Sequence, residues 1–339
     1  MKKIIVWVVS IVVVIGIIVG AMFGLKGSSS SSSSSGSKTT VRLGLMTNSD
    51  GQYLAAIAQK EGYFSKYGIK VKTSTFSYGI ESVNAITTGQ LDIGYVADFA
   101  ALNRFGSSSK SSLKMFAKLS SSSGSGNKLY VAKGINSLSD LKGKTIITSK
   151  GTDTEYVVAR TLKKAGLKSS QVNLVSVETG QEALALMKSG KASAVWASGQ
   201  NAEKLAKTGK FSVLTTQSKI TSPTLSFAIS NKSFLKKHPK AAEAYLKAIN
   251  DAVKLVKAHP QKAAAIVAAK LNVPKSTVLA TLNSENFNIN FDSSTYSSLK
   301  TIYKYLDSSN ELKHTYNISD YVDTSALKKA IPSASIADN

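Results

Sequence analysis

Asp98 stands in the segment Gly89–Ala101, GQLDIGYVADFAA, where a short apolar strand from Leu91 to Val96 runs into the start of a new helix. In an α/β fold the carboxyl ends of strands face the ligand crevice, and a helix beginning there offers unpaired backbone N–H groups to its occupant. The same carboxylate is also a good helix cap, so both roles stay open at this point. A second candidate is Gly151-Thr152-Asp153-Thr154, which opens a long helix. Backbone N–H groups at a helix start, with hydroxyls beside them and a glycine allowing close approach, hold a small anion without a cationic side chain. Thr152 or Asp153 could instead do no more than cap that helix. The remaining loop candidates are Thr47 and Asn48 after the first strand and Tyr78 and Gly79 after the second.

Catalysis needs a constellation, and the sequence shows none. His238 and His259 each precede a proline at a helix edge, and His314 lies in a polar turn. No H-x-x-x-H, G-x-S-x-G or G-x-x-x-x-G-K-[ST] pattern occurs, and the acidic pairs lack metal-loop spacing. The reading is therefore of a protein that is not an enzyme and that uses no metal and no cofactor. Cysteine is absent, which removes disulfides, thiolate sites and lipid-modified cysteine anchors. Lys+Arg number 43 against 20 Asp+Glu, a net charge of +23. The excess is scattered lysine, and the arginines are Arg42, Arg104 and Arg160 alone. Nucleic-acid readers lean on arginine and clustered stripes, so no nucleic-acid partner is expected; a lysine coat suits an anionic surface.

The elements that position these residues alternate. Strands at VRLGLM, Ile69–Phe76, Leu91–Val96 and Leu113–Leu119 are interleaved with helices at Gln52–Gly62, Ile80–Thr88 and Phe99–Phe105. After a Ser/Gly loop, 120–127, a second series follows from Leu129 through strands at Thr145–Thr148, Val172–Val177, Ala192–Ala197 and Phe211–Thr215. Such alternation predicts parallel βαβ units, and two series predict two lobes. From Pro223, TLSFAIS reads as one more strand, after which the chain is expected to be mostly helical, beginning with Ala241–Ala258. At the front, Ile4–Phe23 is an uncharged apolar run behind Lys2 and Lys3. Its roughly 20 residues are enough to span a bilayer, which predicts a membrane helix with the remainder outside, or else a long cleaved signal segment. Ser28–Ser35 is an unbroken serine tract that reads as a flexible tether.

Four segments in order resemble the substrate-binding proteins of ABC importers for nitrate, sulfonates and taurine: VRLGLMTNSDGQYLAAIAQKEGYFSKYGIKVK, NAITTGQLDIGYVADFAA, SLSDLKGKTIITSKGTDTEYVVARTLKKAGL and TSPTLSFAISNKSFLKKHPKAAEAYLKA. The resemblance implies a two-lobed periplasmic-binding-protein-like (type II) α/β fold with a ligand cleft between lobes, here preceded by an N-terminal transmembrane helix. The expected division is 1–26 anchor or signal, 27–39 linker, 40–128 with 225–335 as lobe 1, and 129–224 as lobe 2. It places hinge strands at Leu129–Ala132 and Leu225–Ser230, with closure on a ligand. The implied function is extracytoplasmic capture of a small anionic or zwitterionic solute, of the taurine, alkanesulfonate or nitrate class, by a monomer that delivers it to a membrane permease. Three departures stand out. Asp98 replaces a small hydroxyl residue, Glu155 replaces a histidine, and Trp196 in VWASGQN lacks the acidic residue and proline that usually follow. Two added carboxylates favour a ligand bearing an ammonium group. Trp196 either stacks on that ligand and closes the pocket or belongs to the core. Alternatives are a binding protein for an amine-bearing ligand such as an aminopyrimidine vitamin precursor, or a sensor or wall-binding module uncoupled from transport.

Overall fold

The computed structural model describes residues 38–47, 49–108 and 111–337. Eleven strands among them are β1 Thr39–Met46, β2 Ile69–Phe76, β3 Ile93–Ala97, β4 Leu113–Ser122, β5 Lys128–Ala132, β6 Thr145–Thr148, β7 Asn173–Ser176, β8 Ala194–Ala197, β9 Phe211–Thr216, β10 Thr224–Asn231 and β11 Glu285–Asn290. They form a six-stranded sheet in the order β11-β4-β10-β3-β1-β2 and a five-stranded sheet in the order β7-β6-β8-β5-β9. The parallel pairs β1/β2, β1/β3, β6/β7 and β6/β8 are those joined through helices. Two strands depart from that pattern: β10 runs antiparallel to β3 and β4, and β5 antiparallel to β8 and β9. Each is the strand by which the chain enters one sheet from the other, through 123–127 and 217–223.

Burial follows strand position. Central β3, IGYVA, and β8, AVWA, are shielded on both faces and read as continuous apolar runs. Edge strand β2 is largely exposed and carries Lys70 and Lys72, charges that discourage pairing with a further strand. The long helix Pro239–Ala258 starts with proline, which has no N–H to lose there, and buries Ala241, Tyr245, Ala248, Ala252 and Val256 on one stripe. It packs on the helix Asp50–Lys60 in the core of the six-stranded sheet.

The structure corrects the sequence reading in two places. The region after Ala258 is not helical throughout: β11 pairs with β4 at the sheet edge. Its sequence, ENFNIN, is rich in asparagine and glutamate, which have low strand preference, and only the buried Phe287 and Ile289 betray the alternation. In addition, β4 continues through Ser120–Ser122 into the expected loop, because those serines gain partners from β10 and β11 on both sides. The apolar run Ile4–Phe23 and the serine tract lie outside the described residues; among the described residues no helix is long and apolar enough to cross a membrane.

Gly51 tests how tightly the first helix seats. A Cβ there would lie 2.4 Å from the Tyr95 ring, which is buried and anchored through its hydroxyl to Asp50. Gly51→Ala gains up to about 1 kcal/mol of helix propensity but overpacks a pinned ring at about 1–3 kcal/mol. The expected result is a lower urea midpoint at unchanged m-value; a raised midpoint shows that the ring can yield.

Candidate functional site

Two carboxylates from different sheets meet at one cavity. Asp98 is the first residue of the helix Asp98–Gly106 that follows β3, and Asp153 is the first of the helix Asp153–Lys164 that follows β6. Both line a cavity of about 180 Å³ with Tyr156 and with Ser222, Pro223 and Thr224, where the chain returns to the six-stranded sheet. The helix Ser293–Ser308 closes it with Ser297, Ser298, Thr301 and Ile302.

Asp98 is 1% exposed, and its carboxylate accepts from the Phe99 N–H and the Leu225 N–H, both at 2.8 Å. It thus satisfies one N–H in the first turn of its own helix and holds β10 at the same time. Asp153 accepts more loosely, from the Gln217 amide at 3.4 Å and the Thr224 hydroxyl at 3.5 Å. Burial, with the charge of Asp153 added, pushes Asp98 up to about 8; burial alone lifts Asp153 to about 6. The lining contains no lysine, arginine or histidine. A carboxylate pair in such surroundings holds a proton near neutrality unless a cation replaces it. Tyr156 supplies an aromatic wall, stacked on Phe99 at 5.4 Å between ring centres and edge-on to Tyr305 at 5.1 Å. Carboxylates beside aromatic faces are the surroundings that ammonium groups favour.

The helix start expected to bind an anion is partly occupied by its own residues. The Gly151 N–H donates to the Glu155 carboxylate at 2.6 Å, and the Thr154 N–H donates to the Thr152 hydroxyl at 3.2 Å. An incoming anion there displaces Glu155 first. Tyr78 precedes the helix Gly79–Thr87, and its N–H donates to Glu81 at 3.1 Å. Its hydroxyl bonds to Ser149, just beyond β6, so it bridges from one sheet's helix start to the other's strand end, and burial raises its phenol. Gly79 seats that helix on β3, where a Cβ would meet the Tyr95 carbonyl at 3.0 Å. Thr47 is exposed and ties β1 to β2, its N–H reaching the Phe76 carbonyl at 2.8 Å; Asn48 lies outside the described residues. Trp196 is away from the cavity wall, in a hydrophobic cluster with Leu129, Val131, Ile146 and Val157.

Of the residues singled out from sequence, the fold joins Asp98 with Asp153 and sets Thr152 beside them. Sequence reasoning missed Tyr156, although it stands one turn after Asp153, and missed Thr224 and the hydroxyls of Ser293–Ser308, which nothing local marks. It also missed a second pair of buried acids. The Asp50 carboxylate accepts the Tyr95 and Ser120 hydroxyls, and burial raises it. Glu285, on β11, is lifted to about 8 by its own burial and by Asp50. Among the described residues no group of three or more His, Cys, Asp or Glu could hold a metal ion.

Known proteins resemble this arrangement at several levels. The fold matches the periplasmic aliphatic sulphonate binding protein SsuA from Escherichia coli with a TM-score of 0.71 at 17% identity, covering 84% of this chain and 97% of that one. A desulfurization enzyme, DSZB, shares it with a TM-score of 0.66 at 14% identity over 87% and 99%. At these identities the matches speak for the fold alone, that of the periplasmic binding proteins. In sequence, the taurine-binding periplasmic protein of Escherichia coli (strain K12) is 31% identical over 211 residues, 61% of this chain and 64% of that protein. A binding protein of Brucella abortus (strain 2308) is 30% identical over 138 residues, and the match spans 41% of each chain. The family described as NMT1/THI5 like matches residues 51–263, more than half of the sequence, so the chain belongs to that family.

Proposed function

We propose that the protein is the solute-binding component of an ABC importer, working outside the cytoplasm as a monomer that hands a small amine-bearing solute to a membrane permease. Residues 40–128 and 225–335 act as one lobe and 129–224 as the other, closing on the solute. The supporting observation is the cavity into which each sheet's helix start places one carboxylate, with no cationic side chain in the lining. The ammonium group of a zwitterion such as taurine takes the place of the proton held between Asp98 and Asp153. Its acid end takes the helix start at Gly151–Thr154 once Glu155 moves aside. Thr47, Tyr78 and Gly79 border the cleft, and Trp196 supports it from the core. Plain nitrate and alkanesulfonates fit this lining less well, because they bring a third negative charge without a counterion. Attachment to the membrane through Ile4–Phe23 is part of the same proposal, as is the absence of catalysis.

Calorimetric titration of the chain from Lys38 onward tests the solute. Taurine and simple alkylamines are expected to bind, and nitrate and amine-free alkanesulfonates to bind far more weakly. Asp98→Ala weakens the amine-bearing ligands by at least about 2 kcal/mol. Glu155→Ala, which frees the Gly151 N–H, tightens taurine without affecting alkylamines. Equal affinity for taurine and an amine-free alkanesulfonate in the unmodified protein defeats the ammonium reading.

The acid pair also sets the pH dependence of stability. Asp98 holds its proton more tightly when folded, about 8 against the ordinary 3.8, so its contribution is complete below about 4 and is lost as pH rises through about 8. Asp98→Asn carries no titrating proton. Melting temperatures between pH 5 and 9 are expected to fall less steeply for the variant than for the parent; parallel slopes place the ionised carboxylate in a better-solvated setting than the structure shows.

A further inference from the structure

Gln217 is buried, 4% exposed, at the start of the second connection between the sheets, and every polar atom it has is engaged. Its N–H donates to the Asn127 carbonyl at 2.9 Å, and its side-chain oxygen accepts from the Asn127 amide at 2.8 Å, so it grips the first connection twice. Its side-chain amide donates to the Thr224 hydroxyl at 2.9 Å, at the start of β10, and reaches Asp153 at 3.4 Å. Its carbonyl accepts the N–H groups of Ile220 and Thr221, which turns the second connection back toward β10. The first connection is shaped to receive it. Gly124 has φ +72°, a conformation that suits glycine, and a Cβ there would lie 2.9 Å from the Gln217 Cβ.

We propose that Gln217 is the positioning residue of the hinge: its carboxamide holds Asp153 and both connections together, so that a change of charge in the cavity shifts one sheet against the other. The inference rests on the reading that the two lobes move about these connections. An amide is suited to the task because it keeps one donor and one acceptor at any pH, whereas its partner Asp153 changes charge. When Asp153 is ionised it accepts from the Gln217 amide; when it is protonated or paired with an ammonium group, that pull weakens while the two bonds to Asn127 remain. The groups that face Asp153 are Asp98 from its helix start, Tyr156 on its own helix, the Gln217 amide and the Thr224 hydroxyl. The return segment at Ser222–Thr224 adds no charge. Asp98 is therefore the one other acid at the cavity wall, and arginine-to-aspartate pairing does not fix the charge of Asp153.

Because the chain has no cysteine, Lys72→Cys on β2 and Lys188→Cys on the helix Gly180–Lys188 give a unique label pair across the two sheets, both at exposed positions. Inter-label distances are measured by pulsed electron resonance with two probes, taurine and the proton, the latter by comparing about pH 5 with about pH 9 to bracket the titration of the acids. The expected result is a distance shift with each probe in the parent, lost in Gln217→Leu. Gln217→Glu, which keeps the acceptor for Asn127 but repels Asp153, and Asp153→Asn also lose the shift with the proton. The proposal is overturned if these variants shift as the parent does, or if the parent shifts with neither probe. A proton-driven shift that needs Gln217, in a parent that ignores taurine, upholds the clasp and defeats the proposed solute.

Discussion

The hydrogen bond from the Leu225 N–H to the Asp98 carboxylate is the contact on which the site depends. It joins the strand by which the chain re-enters the six-stranded sheet to the first residue of a helix that begins at the neighbouring strand. Without an acceptor at that place, the first ladder position of β10 beside β3 faces a helix start whose own N–H groups also need partners. One carboxylate serves both, and it can do so only by leaving water. Its burial is what makes the cavity polar, and the arrival of Asp153 from the other sheet is what makes it acidic.

Much of this architecture is legible in the sequence because it rests on local rules. The alternation of apolar strands with amphipathic helices is written into segments such as LDIGYVADFAALNRF, and so is the position of Asp98 at a strand-to-helix corner. Helix starts at Thr152 and Asp153 follow from the capping preferences of their residues. What local rules do not carry is partnership at long range. β11 is held in place by pairing to β4 rather than by its own asparagine-rich sequence, and the serines at 120–122 become strand only because β10 and β11 flank them. The cavity wall from Ser293–Ser308 comes from a segment far from both carboxylates in the chain, and a run of serine and threonine on a helix face looks like any solvated surface. Trp196 illustrates the opposite difficulty. Its position beside a cleft-edge motif suggests a ligand contact, yet both faces of β8 are buried, and the ring packs with Ala194 into the cluster of Leu129, Val131, Ile146 and Val157.

The departures from the family pattern acquire a common physical meaning once the geometry is known. Glu155 reaches back to the Gly151 N–H and fills the anion position with an internal carboxylate, while Asp98 and Asp153 place two more acids a short way along the same cleft. Together with Asp153 they set two carboxylates in a lining without lysine, arginine or histidine and a third at the adjacent helix start, the arrangement on which the proposed preference for an ammonium-bearing solute rests.

A cleft of this kind has to avoid collapsing on itself when empty, since two carboxylates and several hydroxyls in one cavity gain nothing from closing without an occupant. The proton held by the raised Asp98 relieves the repulsion in the empty state, and a ligand ammonium relieves it in the filled state. The two states then differ little in net charge at the carboxylates but differ in the size of the group between them. Under the proposed function, closure then depends on whether a group large enough to contact Tyr156 and the Ser293–Ser308 hydroxyls replaces the proton, so that shape adds to charge in selecting the solute.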